Sequence, residues 1–185
     1  MKKQLKVAKF AFIGAPSVGK TTLTNFFKKK FADCSNVAVL DEAARIFFNT
    51  HPEITDRSFP IQQAIQKLVL KRERAAYKPG IEIIISDRSV IDPIVLTQIL
   101  DEENVDKLLK NAENWLQTYT LFFILDESGV PSDLVPPRLE TQEQRSAIQA
   151  ASIDFCITHG LNYVLISGSL EERIQEIEIL MKTYF

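Results

Sequence analysis

The chain has 185 residues, 45% hydrophobic and 25% charged, with 22 Lys+Arg against 24 Asp+Glu and a formal net charge of -2. That composition suits a folded protein with one hydrophobic core and excludes default disorder. The lack of a basic surplus argues against nucleic-acid binding, and a mean hydropathy of -0.03 with no apolar run near ~20 residues argues against a membrane span.

Cys34 and Cys156 stand apart, and the two histidines, His51 and His159, leave too few ligands for a Cys/His zinc site or a disulfide framework. Residues 1–6 lead into a strand-like segment with no small-residue cleavage site, so we expect no signal peptide and a reduced, cytoplasmic setting.

Strand-like and helix-like segments alternate from end to end, with no repeat and no linker. Residues 7–13 read as a strand, 14–19 as a Gly/Pro/Ser loop, and 20–31 as a helix ending in Lys28-Lys29-Lys30, where cations complement the helix dipole. Val37-Ala38-Val39-Leu40 is a short strand that runs through Asp41-Glu42 into a helix containing Phe47 and Phe48. After a polar connection at 51–60, a long helix spans 61–76, with Ile61, Ile65, Leu68 and Val69 on one face. The near-continuous apolar run at 81–85 reads as a strand covered on both faces. Helices follow at 92–100 and 103–116, then a buried strand at 120–125. Residues 126–137, rich in Pro, Ser, Gly and Asp, read as a mobile loop. Thr141-Gln142-Glu143-Gln144 and Ser169-Leu170-Glu171-Glu172 have the spacing of capping boxes. They open a helix that stops at Gly160 and a final helix to about 183, with a last strand at 163–166 between them. Five strands separated by helices predict an α/β, three-layer αβα fold with a central five-stranded parallel sheet, in a single domain over 1–185.

Gly14-Ala15-Pro16-Ser17-Val18-Gly19-Lys20-Thr21 matches G-x-x-x-x-G-K-[ST], the phosphate-binding P-loop. Its glycines let the backbone wrap a phosphate chain so that successive N–H groups and the following helix start face the anion. In this pattern Lys20 bridges the β- and γ-phosphates and Thr21 ligates Mg²⁺. Two carboxylates follow apolar strands, at Asp41-Glu42 and at Asp87. We assign Asp87 beside the metal, with Glu42 as a general-base or substrate-orienting group. Ligands of open α/β sheets sit beyond the carboxyl ends of the strands, which brings Gly14, Glu42 and Asp87 to one edge. Phosphoryl transfer also needs positive charge around the moving group. Arg88 follows Asp87 directly, while Arg138 and Arg145 flank the end of the loop, which suggests an arginine-bearing lid within 126–145.

The P-loop, the Asp87-Arg88-Ser89 turn and the later arginines together resemble the P-loop kinases of nucleosides and nucleotides. Glu42-Ala43-Ala44-Arg45 is similar to the E-x-x-R segment of the nicotinamide-ribonucleoside-kinase-like group of AAA-type P-loop domains. The order of motifs matches over nearly the whole chain. The resemblance implies ATP and Mg²⁺ at Gly14 to Thr22, an acceptor pocket near Glu42, Arg45, Arg88 and Asp92, and a lid near Arg138 to Arg145. The lid carries Asp133-Leu134-Val135-Pro136-Pro137-Arg138 in place of D-G-x-R. Without an H-x-G-H motif, the bifunctional regulator that contains such a kinase domain is set aside. The expected activity is ATP-dependent phosphoryl transfer to a small nucleoside-like or nucleotide acceptor. The alternative is a partner-regulated ATPase or GTPase switch built on the same P-loop. Phe47, Phe48, Phe59 and Trp115 are candidates for the acceptor pocket or for the core.

Overall fold

The computed structural model describes residues 7–126 and 141–184. Five strands, β1 (Ala8–Ile13), β2 (Val37–Leu40), β3 (Ile83–Asp87), β4 (Leu121–Leu125) and β5 (Tyr163–Ile166), pair in the order β2-β3-β1-β4-β5, all parallel. Among the described residues seven helices connect and cover them: α1 (Lys20–Lys30), α2 (Ala43–Thr50), α3 (Phe59–Ala76), α4 (Ile91–Leu100), α5 (Val105–Leu116), α6 (Gln142–Thr158) and α7 (Leu170–Lys182). A 3-10 turn at Glu102–Asn104 precedes α5. No described helix is long and apolar enough to cross a membrane.

β1 is the central strand and is buried along its whole length. Its alternation divides the core: Phe10 and Phe12 pack on one face with Leu23, Phe27, Phe123 and Ile177, beneath α1 and α7. Ala11 and Ile13 lie on the other face with Ile65, Ile94, Leu108 and Phe155, from α3, α4, α5 and α6. Aromatic pairs stiffen the first cluster, with ring centroids 5.8 Å apart for Phe10–Phe123 and 5.9 Å for Phe12–Phe27. Each such fully buried ring contributes about 1.5–3 kcal/mol of transfer free energy.

Strand ends differ from those read in the sequence by at most two residues, the largest shift being at β3 (81–85 expected). Pairing explains it. Ser86 and Asp87 lie opposite Ala11 and Phe12 of β1, so the ladder continues two residues beyond the apolar run. Asp87 thereby becomes the last residue of the strand and is delivered to the carboxyl edge. α3 also differs: it starts at Phe59, with Pro60 in its first turn where a missing N–H costs nothing. Its buried face is centred on Gln62, Ile65, Gln66, Val69 and Glu73, while Ile61 and Leu68 flank it half-buried. The rotation places polar groups inward because partners await them. Gln66 Nε2 donates to the Leu108 carbonyl (3.0 Å), and Glu73 accepts from Lys9, Trp115 and Tyr119. Both expected capping boxes are formed, Thr141 with Gln144 and Ser169 with Glu172. α6 ends where Gly160 turns left-handed (φ 60°).

Candidate active site

The loop between β1 and α1 turns through three left-handed residues, Gly14 (φ 111°), Ser17 (φ 61°) and Gly19 (φ 92°). Such alternation converges backbone N–H groups into an anion-binding concavity at the start of α1. Gly14 is obligatory for a second reason: a Cβ there would lie 2.7 Å from Gln149 Oε1 and 3.0 Å from the Leu125 carbonyl. Ala15 and Val18 are buried, Pro16 and Gly19 half-buried, and Ser17 and Thr22 exposed. Lys20 folds back over the loop, its Nζ donating to the Gly14 carbonyl (3.1 Å) and to the Ala15 carbonyl. Burial, seconded by the nearby Arg88 charge, pushes the Lys20 ammonium down to about 7.

Around this loop the structure brings together most of the residues singled out in the sequence. Thr21 Oγ1 donates to Asp87 Oδ2 (2.8 Å) and accepts from Arg45 Nη2 (3.0 Å). Glu42, the residue preceding α2, accepts from Arg88 Nε (2.7 Å) and Arg45 Nη2 (3.1 Å). Arg88 Nη1 reaches Asp92 Oδ1 (2.8 Å), and Asp92 Oδ2 accepts the Ser89 N–H (2.7 Å) and hydroxyl (3.1 Å). Arg88 sits in the left-handed region (φ 68°), a conformation held by its own N–H on the Phe12 carbonyl (3.0 Å). Backbone strain of this kind persists where the surroundings over-determine it.

The electrostatics follow from these contacts. Burial alone would raise the Glu42 carboxyl, but Arg88 and Arg45 outweigh it and hold the group below the ordinary value. Asp87 goes the other way, raised by burial and then by the Glu42 charge. Arg88 is opposed by burial yet stabilised by Glu42, Asp92 and Asp87, which raise it further above its usual range. Asp87 Oδ1 is buried and takes no hydrogen bond. An orphaned carboxylate oxygen beside the Thr21 hydroxyl is a hard-oxygen donor set that fits Mg²⁺. Asp41, the other strand-end acid, turns to solvent and pairs with Lys28 (2.8 Å). Lys30 pairs with Glu178, so two lysines of the α1 run are neutralised locally.

A pocket of about 70 Å³, open to solvent, adjoins the loop. Glu42, Arg88, Ser89 and Asp92 supply its polar lining, and Pro16, Ile65, Val69, Pro93, Val95 and Leu96 its apolar lining. Arg57, Gln62 and Ser152 also line it and were not read from the sequence. The signal was there for Gln62, a polar residue on the inward stripe of an amphipathic helix. Phe47, Phe48, Phe59 and Trp115 are not among the lining residues and pack half-buried against the core. Arg145 lies in the first turns of α6, 2% exposed, and is not a lining residue either. Arg138 and positions 127–140 of the expected lid lie outside the described residues. Two further groups brace the loop from afar: Gln149 Oε1 accepts the Ala15 N–H (3.0 Å), and Arg173 Nη1 donates to the Val18 carbonyl (2.8 Å).

Known proteins resemble this arrangement at two levels. The AAA domain family matches the sequence over residues 9–173. No curated protein matches it. Among solved structures, NadR protein in complex with NAD and AMP-PNP superposes with a TM-score of 0.73 at 16% identity, over 96% of this chain and 49% of that one. NadR protein in complex with NR gives the same TM-score and identity, over 96% of this chain and 50% of that one. Thymidylate kinase from Ehrlichia chaffeensis superposes with a TM-score of 0.64 at 15% identity, over 94% and 98% of the two chains. The present chain thus spans about half the length of the NadR chains. At these identities the likeness establishes the fold, a three-layer P-loop fold of the nucleoside and nucleotide kinase type.

Proposed function

This chain belongs to the AAA domain family, and on that premise we propose that it transfers the γ-phosphoryl group of ATP to a hydroxyl of a small nucleoside-like or nucleotide acceptor. The observation that carries the reading is the cavity beside the phosphate loop, with Glu42, Arg88 and Asp92 on its wall. An ATPase that activates water needs no such chamber; a kinase needs one to seat its acceptor and exclude water. The AMP-PNP and NR named with NadR, and the kinase name of the other neighbour, support the same class of reactants.

In this reading the loop N–H groups and Lys20 cradle the phosphates, with Lys20 exchanging its two carbonyl contacts for phosphate oxygens. Bound Mg²⁺, held by Thr21 and Asp87, supplies positive charge at the phosphate oxygens. Glu42 is ionised at neutral pH, because Arg88 and Arg45 hold it low. It accepts the acceptor hydroxyl's hydrogen bond, aims that oxygen at the γ-phosphorus and takes its proton as the new O–P bond forms. The bond from the γ-phosphorus to the bridging oxygen breaks, and ADP leaves. Arg88, steadied by Asp92, faces the charge spread over the transferring group. Arg45, bonded to both Thr21 and Glu42, couples the metal side of the site to the acceptor side.

ADP formation from Mg·ATP, measured alone and with a panel of nucleosides and nucleoside monophosphates that includes nicotinamide riboside, tests the proposal. We expect turnover that depends on one acceptor and falls roughly a hundredfold or more in Lys20→Ala. Hydrolysis that ignores every acceptor, or rises only with a protein partner, would replace the kinase by a nucleotide switch.

A further inference from the structure

Arg173, on α7, is 3% exposed and lies behind the phosphate loop. Its guanidinium donates to three backbone carbonyls from three separate segments: Nη1 to Val18 of the phosphate loop (2.8 Å), Nη2 to Asp126 after β4 (3.0 Å), and Nε to Gly168 between β5 and α7 (2.8 Å). The Asp126 carboxylate stands 3.9 Å away and offsets part of the buried charge. A planar fork with five donors on three nitrogens reaches three carbonyls set apart around it; the three donors of an ammonium radiate from one nitrogen and cannot span them.

We infer that Arg173 is a positioning residue of the nucleotide site, fixing the Val18–Gly19 peptide plane so that the Gly19 N–H faces the bound phosphate. This rests on the reading of residues 14–21 as the phosphate site. The argument is geometric. A trans peptide is planar, and its C=O and N–H point in opposite directions. A donor that captures the Val18 carbonyl from behind therefore turns the Gly19 N–H toward the loop interior. Gly19 is left-handed (φ 92°) and, as a glycine, would otherwise sample either side of the map. Gln149 acts on the neighbouring end of the loop by the same logic. It accepts the Ala15 N–H from outside, and the Gly14 carbonyl of that peptide points inward to Lys20. Arg173 has a second effect. A Cβ on Gly19 would lie 3.9 Å from Nη1, so the guanidinium adds a fixed positive charge just behind the anion.

The test is calorimetric titration of Mg·ADP into wild type, Arg173→Lys and Arg173→Ala, each below its own unfolding midpoint, with the Gly19 amide followed by ¹⁵N NMR. Loss of buried hydrogen bonds from a charged donor predicts binding about tenfold or more weaker in both variants. Methylguanidinium should restore part of the affinity of Arg173→Ala, and the Gly19 amide shift on ADP addition should shrink in Arg173→Lys. A purely structural arginine would lower the unfolding midpoint and leave ADP affinity of the folded variants unchanged, overturning the inference. If neither variant folds, the wild type decides. The Arg173 Nε–H and Gly19 amide signals should move together on ADP addition, and a Gly19 shift without Arg173 overturns it too. Wild type that fails to bind ADP at all would refute the phosphate-site reading itself, a result separate from any variant's behaviour.

Discussion

Lys20 carries its positive charge at a cost, because it is enclosed and near Arg88, and the carbonyl oxygens that accept from Nζ offset only part of that cost. With the group pushed down to about 7 by burial and by Arg88, arriving phosphates must raise it, since they place negative charge at the ammonium. Nucleotide binding above pH 7 should therefore take up a proton. The sign is fixed by linkage: affinity falls as pH rises past 7, because a growing fraction of the free protein must first be protonated. Titrations of Mg·ADP at pH 8 in buffers of different ionisation enthalpy should register uptake approaching one proton, absent in Lys20→Ala. Zero uptake in wild type would remove Lys20 as the phosphate partner. This lysine was legible because the P-loop is a contiguous motif, as were Thr21, Glu42, Asp87 and Arg88, each beside an apolar strand or within a turn. Gln149 and Arg173 were not. They meet Ala15 and Val18 across 134 and 155 residues of chain, and no local pattern marks a side chain whose partner is a distant backbone group.

Individual elements were readable where their signals are local. The capping boxes at Thr141 and Ser169 depend on four consecutive residues, and both form with side chain and backbone reciprocally bonded. Thr141→Ala and Ser169→Ala should each lower stability by about 1 kcal/mol, seen as an earlier urea midpoint with an unchanged slope. Ser169→Gly should cost only a few tenths of that unit. An alanine variant with wild-type midpoint would mean that the cap is replaced by water without loss. Elements were misread where tertiary partners override local pattern. The end of β3 is set by β1, which pairs Asp87 with Phe12. The inward face of α3 is set by partners on other elements: the Leu108 carbonyl accepts from Gln66, and Lys9 and Tyr119 donate to Glu73. In both cases the displaced boundary or face is the one that bears on the site, placing Asp87 at the sheet edge and Gln62 on the cavity wall.

At the scale of the molecule, a buried ion pair joins the strand that feeds the phosphate loop to the helix that walls the adjoining cavity. Lys9 of β1 and Glu73 of α3 meet at 2.7 Å with both side chains fully buried. Trp115 and Tyr119 also donate to Glu73, and the Lys9 ammonium lies 3.5 Å from the Tyr119 ring centroid. Tyr119 in turn accepts the Val90 N–H (3.2 Å), two residues after Arg88. The sheet order β2-β3-β1-β4-β5, unreadable from the sequence because strand adjacency is a tertiary choice, is what brings these groups together. Removing one partner leaves the other charged and buried, so Lys9→Met should destabilise by about 3–5 kcal/mol. Lys9→Met combined with Glu73→Gln should cost less than the sum of the two single changes, because neither stranded charge then remains; strict additivity would mean that the pair is not an energetic unit. The pH dependence gives an independent check. Burial, against the opposing pull of Glu73, lowers Lys9 to about 8. Between that value and the ordinary 10.5 of the unfolded chain, the unfolded state holds more protons, so folded wild type gains stability with rising pH. Lys20 contributes a term of the same sign to wild type and variant alike, which cancels in their difference. The gap between wild type and Lys9→Met in urea unfolding should therefore widen from pH 8 to about 9.5. Above that range Tyr119, whose hydroxyl burial and Glu73 hold well above its usual value, acts in the opposite direction, because the unfolded chain then releases a proton that the fold retains.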